Sequence, residues 1–139
     1  MALKYLSQLH KASRQIAIWI EERLPDLPAN EGHLVSYLLP YGPCPVSELV
    51  RVFGVKHSTM TSILDRLEER GLIERKVNPS DKRSLLVGLT RQGAATAKKI
   101  GALLAELEGA INSEVSPTDY ARFLKVLGAI ERVTSVKVR

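Results

Sequence analysis

Two groups of polar residues in this chain have types and spacing suited to contact with a polyanion. The first is a run of short hydroxyl side chains that follows a lysine and a histidine. Hydroxyls can bond phosphate oxygens or base edges, and a DNA major groove about 12 Å wide admits a helix only if its leading face is uncrowded. The alternative is a solvated helix face, where long Glu and Lys side chains are the commoner choice. The candidate groove-facing residues are Lys56, His57, Ser58, Thr59, Thr61, Ser62 and Arg66.

The second group is an acid followed by two cations, Asp81, Lys82 and Arg83, directly after an Asn-Pro-Ser turn sequence. A guanidinium on a narrow β-arm can enter a minor groove, whose negative potential attracts it. Phosphate would repel Asp81, so we expect its carboxylate to accept hydrogen bonds from Arg83 or the turn backbone and to orient the arginine. An ordinary exposed ion pair, worth under about 1 kcal/mol, is the alternative.

The run of hydroxyl residues must lie on a helix, and the sequence shows which residues form the buried face of that helix. Gly71 is expected to end this helix as its C′ residue. A three-residue turn, 54–56, joins it to a shorter helix, 47–53, with Ser47 as the expected N-cap and a candidate phosphate contact. Two helices joined by so short a glycine-containing turn form a helix-turn-helix. The apolar residues on the buried face are Met60, Ile63, Leu64 and Leu67.

The remaining elements follow from periodicity and from turn residues. Alternating apolar residues predict a hairpin with a loop at 78–83, and Thr90 is the expected cap of a long helix from 91 to about 113. Residues 41–46, "YGPCPV", are interpreted as a linker. Ser116 to Asp119, "SPTD", combines an N-cap, a proline at N1 and an acid at N3, and so begins a last helix.

Two more helices are predicted near the start of the chain. The first covers 3–24 and is ended by Pro25, and the second begins with Asn30 as its N-cap and stops near Pro40. The resulting fold class is mainly α with a small β-hairpin wing. The chain then has six helices arranged around a winged helix-turn-helix.

Apolar stripes at both ends of the chain need partners. They run from Leu6 to Ile20 and from Tyr120 to Ile130, outside the module of residues 30–90. The two stripes could pack with each other and with the 91–113 helix in a bundle within one chain. We expect a homodimer instead, because helix-turn-helix proteins gain affinity and register from two half-sites.

Composition bounds the remaining possibilities. The 139 residues, 45% of them hydrophobic, suffice for one domain with a core. Of the net charge of +5, +4 falls between Arg51 and Arg91. Uncharged apolar runs fall short of the roughly 18 residues of a membrane span, and charges interrupt the N-terminal segment, so we expect a cytoplasmic protein. Cys44 is the single cysteine, which excludes an intrachain disulfide and fits a reducing compartment.

Catalytic and cofactor motifs do not occur in the sequence. It has no G-x-S-x-G, Walker loop, G-x-G-x-x-G or H-E-x-x-H, so we expect neither an enzyme nor a cofactor. The three histidines lack ligand spacing, and no metal is expected. The alternative function is a winged-helix adaptor whose basic wing binds an acidic protein.

Taken in order, "MTSILDRLEERGLIER" (Met60 to Arg75) and "NPSDKRSLLVGLTRQG" (Asn78 to Gly93) resemble the MarR family of winged helix-turn-helix transcriptional regulators. The D-x-R wing and the L-T-x-x-G junction carry the likeness. The resemblance implies a homodimer whose N- and C-terminal helices intertwine, with two winged modules on a pseudo-palindrome in duplex DNA. Residues 1–28 would then form a dimerisation helix, 29–90 the DNA-binding module, and 91–139 the linker and further dimerisation helices.

The resemblance also implies roles for individual residues. Ser58, Thr59 and Ser62 become groove-facing positions, Arg83 the minor-groove arginine and Asp81 its orienting partner. Many relatives carry an arginine where Ser62 stands, so direct base readout is expected to be thinner here and shape readout through Arg83 more important.

Members of the family commonly act as repressors that a small anionic aromatic compound, a metal or an oxidant releases from DNA. The implied effector cleft lies between the dimerisation helices and the winged module. Rim or core packing is the favoured interpretation of its candidate residues, His10, Arg14, His33 and Tyr37. Cys44, in the linker, is interpreted as a small hydrophobe.

Overall fold

Six α-helices and three β-strands make up the part of the chain that the structure, a computed structural model, describes, residues 2–138. Two units are distinguished, one up to Gly101 and one from Ala102. The mainly helical fold class with a small wing is confirmed. The elements are α1 (Leu6–Arg23), α2 (Ala29–Tyr41), β1 (Cys44–Pro45), α3 (Val46–Phe53), α4 (His57–Glu69), β2 (Ile73–Asn78), β3 (Asp81–Leu89), α5 (Arg91–Asn112) and α6 (Pro117–Thr134).

The sheet is antiparallel, with strand order β1-β3-β2. The predicted linker at 41–46 was wrong in part, because Cys44 and Pro45 form β1 and pair with Val87 and Leu86. Cys44 and Val87 are both buried, at 3% and 0% exposure, so apolar burial holds this short strand in the sheet. A two-residue strand has too little alternation to be seen in a sequence.

The hairpin tip is also tighter than the predicted loop at 78–83. Asn78 pairs with Asp81, which leaves only Pro79 and Ser80 between the strands. Side chains close the tip: Asn78 Oδ1 accepts from the Ser80 amide at 3.0 Å, and Asn78 Nδ2 donates to Ser84 Oγ at 3.1 Å. Asp81 to Arg83 therefore begin a strand instead of ending a loop.

Two predicted N-caps were each wrong by two residues. Pro28 caps α2 and Pro45 caps α3, so Asn30 and Ser47 each lie inside the first turn of their helix. Proline already holds the backbone dihedral φ that a helix start needs. Asn30 instead accepts a hydrogen bond from the Glu31 amide at 2.8 Å.

The core of the first unit lies between the helix-turn-helix and the sheet. The predicted stripe of α4 is confirmed, with each of its four residues at most 4% exposed. Gly54, at φ 63°, makes the turn between α3 and α4. Gly71, at φ 74°, ends α4 as predicted, and the Leu72 amide reaches back to the Leu67 carbonyl at 3.0 Å. The largest buried side chains here are Leu34, Leu49, Met60, Leu64, Leu67, Ile73 and Ile100.

In the second unit, the predicted start of α6 is confirmed. The Ser116 hydroxyl accepts from the Asp119 amide, and the Asp119 carboxylate accepts from the Ser116 amide, which is a capping box. The hydrogen bonds from Ser116 lower the pKa of Asp119. The cap is therefore complete above the ordinary aspartate pKa and is lost as the pH falls through the lowered value.

The first half of the apolar stripe of α6 is exposed within one chain, and Leu127 and Ile130 further along are half-buried. Tyr120, Phe123 and Leu124 are 59%, 51% and 46% exposed, and no described residue of α6 is buried. Among residues 2–138, no helix is both long and apolar enough to cross a bilayer.

Candidate nucleic-acid interface

The N-terminal half of α4 presents short polar side chains to solvent. Met60 is 0% exposed, so the opposite side of this amphipathic helix faces outward. Thr61 is half-buried at the edge of that side. The exposed residues among the sequence candidates are Lys56, His57, Ser58, Thr59 and Ser62, together with Arg66 further along.

Two of the hydroxyls donate to their own helix. Thr61 Oγ1 donates to the His57 carbonyl at 3.0 Å, and Ser62 Oγ donates to the Ser58 carbonyl at 3.1 Å. A hydroxyl that donates in this way keeps its lone pairs as acceptors. Ser62, which is exposed, can therefore accept from an amino group of adenine or cytosine without rotating, whereas a bond to a phosphate oxygen requires its hydroxyl to turn.

Arg66 has a partner that the sequence did not reveal. Its Nε donates to Glu31 Oε1 at 3.3 Å, and the Glu31 side chain is only 2% exposed. The pair joins α2 to α4, so Arg66 is not simply a free contact residue. Glu31 and Arg66 are 35 residues apart, and no local pattern could have paired them.

Arg75 on β2 was not among the sequence candidates, yet it fastens the wing to α4. Its Nε donates to Glu68 Oε2 at 2.9 Å and its Nη2 to Asp65 Oδ1 at 2.7 Å. These two hydrogen bonds, that to Glu68 first, raise the pKa of Arg75. The same contacts neutralise two carboxylates on α4 that would otherwise repel a polyanion.

Replacing Arg75 with alanine is expected to lower the free energy of unfolding by about 1 kcal/mol. The Arg75 side chain is only 20% exposed, which strengthens its two ion pairs, but both acids are partly solvated, which weakens them. A lysine lacks the planar guanidinium that bonds Glu68 and Asp65 at the same time, so Arg75→Lys should recover only part of the loss. Urea denaturation measures both values. Lys76→Ala is the matched control, since its ion pair with Glu74 is well exposed and should contribute almost nothing. Equal losses of stability in Arg75→Ala and Lys76→Ala would contradict the interpretation that Arg75 fastens the wing to α4.

At the wing tip, Arg83 extends into solvent with its side chain 95% exposed. Asp81 Oδ1 accepts from the Arg83 amide at 3.0 Å and from Arg83 Nε at 3.5 Å. Ser84 Oγ donates to the Asp81 carbonyl at 3.2 Å. The carboxylate thus binds both the backbone and the guanidinium of the arginine, which is the geometry expected of an orienting partner.

A buried helix face, an exposed polar face beside it and an arginine-tipped hairpin form a winged helix-turn-helix, and comparison with known proteins agrees. The sequence model of the MarR family matches residues 27–85. This stretch, from the end of the loop before α2 to the middle of β3, is therefore similar to the MarR-family domain.

Solved structures extend the likeness beyond the domain. The S. aureus MepR–DNA complex has a TM-score of 0.83 at 21% identity, with 98% of this chain and 99% of that chain covered. Streptococcus pneumoniae FabT in complex with DNA has a TM-score of 0.82 at 20% identity, covering 93% and 94%. Apo wild-type MarR from E. coli has a TM-score of 0.73 at 26% identity, covering 94% and 96%.

The four candidate effector residues lie on two helices, His10 and Arg14 on α1 and His33 and Tyr37 on α2. His10, Arg14 and His33 are exposed, and Tyr37 is half-buried. The Tyr37 hydroxyl donates to Glu48 Oε2 at 3.1 Å, and its ring stacks on Tyr41 at 4.6 Å. None of the four lines the cleft at Arg23 and Lys99, the cleft at Leu39 and Gly88 or the cleft at Gly109 and Tyr120.

Ser47, the candidate phosphate contact, is exposed on the first turn of α3. Cys44, by contrast, is buried in β1. No group of three or more His, Cys, Asp or Glu that could hold a metal occurs among residues 2–138.

Proposed function

We propose that this protein is a homodimeric transcription regulator that binds a specific pseudo-palindromic sequence of double-stranded DNA. The observation that carries the proposal is the shared exposure of the hydroxyl-rich side of α4 and of Arg83 on the adjoining wing. Arg75 holds the helix and the hairpin together, so the two groups would meet one duplex as a rigid pair.

In the proposed complex, α4 enters the major groove with its N-terminal half. Ser58, Thr59 and Ser62 are short enough for close approach, and Lys56 and His57 at the entrance would meet phosphates. Ser47 and Thr61 would add contacts to the DNA at the edge of this interface. Because Ser62 lacks the reach of an arginine to a guanine, shape readout at the wing would supply much of the specificity.

The wing would act in the adjacent minor groove. Arg83 is directed by Asp81, so less side-chain entropy is lost when the guanidinium binds. Lys82, also exposed, would contact the backbone. A narrow A·T-rich minor groove is the expected target, since its negative potential is the strongest.

The dimer is supported by apolar surface that a single chain leaves exposed. On α1, Leu6 and Ile16 are 50% and 40% exposed, and the first half of the α6 stripe is exposed in the same way. Contiguous apolar surface of this kind marks a protein interface. A second copy would cover it and would place two α4 helices on successive half-sites.

We also propose repression as the mode of regulation and release by a small anionic aromatic effector, in line with the resemblance to the family. The partner's helices would have to complete any pocket at His10, Arg14, His33 and Tyr37, because within one chain three of these residues are open to solvent. A metal effector is not proposed.

The function is tested by titrating random duplex DNA at several salt concentrations, followed by selection of bound fragments from the source genome. A DNA binder loses affinity along a steep line of log K against log salt, and it enriches a short inverted repeat. The alternative, an adaptor whose basic wing binds an acidic protein, predicts weak binding with little salt dependence. That result would overturn the proposal.

Arg83→Ala is expected to lower affinity for the selected fragment by about 1 to 3 kcal/mol without unfolding the protein, because the side chain is solvated in the free state. Fluorescence anisotropy measures the affinity and circular dichroism the fold. Lys98→Ala, which removes one exposed cation from α5, is the control and should change affinity little. An unchanged dissociation constant for the Arg83 variant would count against a wing contact.

A further inference from the structure

A cleft in the first unit brings together three cations from separate elements. It has a volume of about 250 Å³ and lies between the loop after α1, the end of α4 and the first half of α5. Arg23, Arg70 and Lys99 line it, and Asp26 is the one acid among the described residues that do so. The lining residues therefore carry two net positive charges.

None of the three cations forms an ion pair with a carboxylate among residues 2–138. Arg23 is held in place by other means: its Nη1 donates to the Trp19 carbonyl at 3.0 Å, and its guanidinium lies 3.7 Å from the centre of the Trp19 ring. The hydrogen bond to the Trp19 carbonyl gives Arg23 a structural role, because a cation in the last turn of α1 stabilises that end of the helix. The side chains of Arg70 and Lys99 make no such hydrogen bond or ring contact with another described residue.

The rest of the cleft provides neutral donors and an apolar floor. Gln92 and Thr96 line it from the first turns of α5, where the partial positive charge of the helix start also favours an anion. Leu27 and Leu72, each 5% exposed, supply the buried apolar part of the cleft lining. Cations at the rim, neutral donors and buried leucines are the combination that fixes a small organic anion.

We propose that this cleft binds a small phosphate monoester. At neutral pH such a group carries a charge between about −1.5 and −2, which matches the net charge of the lining residues. Arg70 would make a charge-assisted contact to its oxygens, Lys99 would act as a point charge, and the organic part would lie against Leu27 and Leu72. The site depends on the first unit alone and not on DNA binding.

Occupancy of the cleft has a physical route to α4. Arg70 is the C-cap residue of that helix, and the next residues are Gly71 and Leu72. The Gln92 side chain lies over Gly71, with Oε1 3.4 Å from the position that a Cβ would take there. A bound phosphate would therefore bridge the end of α4 and the start of α5 and stiffen the junction.

The test follows backbone amide signals of the full-length protein by NMR during titration with glycerol phosphate, at an ionic strength held constant with sodium chloride. We expect saturable shifts at Gln92 and Thr96 with glycerol phosphate and none with glycerol. Arg70→Gln and Lys99→Gln should each weaken binding by about tenfold or more. Lys98→Gln is the matched control, because Lys98 is exposed on α5 but does not line the cleft, and it should bind as the unmodified protein does.

Three outcomes would overturn the site. The first is the absence of saturable shifts with glycerol phosphate. The second is an equal loss in Lys98→Gln, which would indicate general surface charge. The third is a cleft that serves DNA: Arg70→Gln and Lys99→Gln would then weaken duplex binding and flatten its salt dependence, while glycerol phosphate failed to bind. Gln at these exposed positions should leave the spectrum of the free protein intact, which verifies folding.

Discussion

Gly93→Ala is expected to destabilise the protein by about 3 kcal/mol, the upper end of the range for forcing an extra carbon into packed structure. Gly93 lies in the first turn of α5, where the Leu72 carbonyl approaches its Cα. A Cβ at this position would overlap the Leu72 oxygen and would also meet Leu89 Cδ2 at 3.2 Å. The obstacle is backbone, which cannot move aside as a flexible side chain can.

Relief of this overlap would disturb the junction that holds α4, β3 and α5 together. The Thr90 amide donates to the Leu72 carbonyl at 3.1 Å, and Thr90 Oγ1 accepts from the Gly93 amide at 3.0 Å. The same hydroxyl donates to the Gly71 carbonyl. Moving α5 away from Leu72 would break these bonds, so we expect both stability and DNA affinity to fall.

Chemical denaturation at one fixed protein concentration measures the effect, because dimerisation would make stability depend on concentration. Gly101→Ala and Gly109→Ala are the controls on the same helix. No atom lies within 4 Å of an added Cβ at either position, so each should stabilise α5 by about 0.5 to 1 kcal/mol. A Gly93 variant as stable as these controls would show that the close approach is not rigid.

Leu127→Asp is the second change with a large expected effect: it should convert the proposed dimer into monomers. Leu127 is half-buried on α6 and lies in the same apolar stripe as Leu124, which is 46% exposed. A carboxylate buried at the centre of such an interface would cost several kcal/mol per subunit without a partner charge. Sedimentation velocity measures the mass directly.

Ala121→Asp is the matched control, since it adds the same charge to an exposed residue of α6 that lies off the apolar stripe. The control should sediment as a dimer. Loss of the dimer in both variants would point to net charge as the cause, and retention in both would place the interface elsewhere. Monomers should also bind the inverted repeat much more weakly, because only one half-site is then engaged at a time.

The sequence by itself determined the elements whose signals are local. The stripe of α4, the three-residue turn to it, Gly71 as its terminator and the "SPTD" start of α6 all depend on residues within one or two helical turns. The order of motifs from Met60 to Gly93 indicated the family, and the match over residues 27–85 agrees with it.

The tertiary structure decided what depends on residues distant in the chain. The two-residue strand β1, the Glu31–Arg66 pair and the Arg75 clamp each join separate elements, and their geometry follows from packing rather than from periodicity. Gly93 shows the division most clearly. The sequence marks it as the last residue of the L-T-x-x-G junction, but only the approach of the Leu72 carbonyl explains why no side chain fits there.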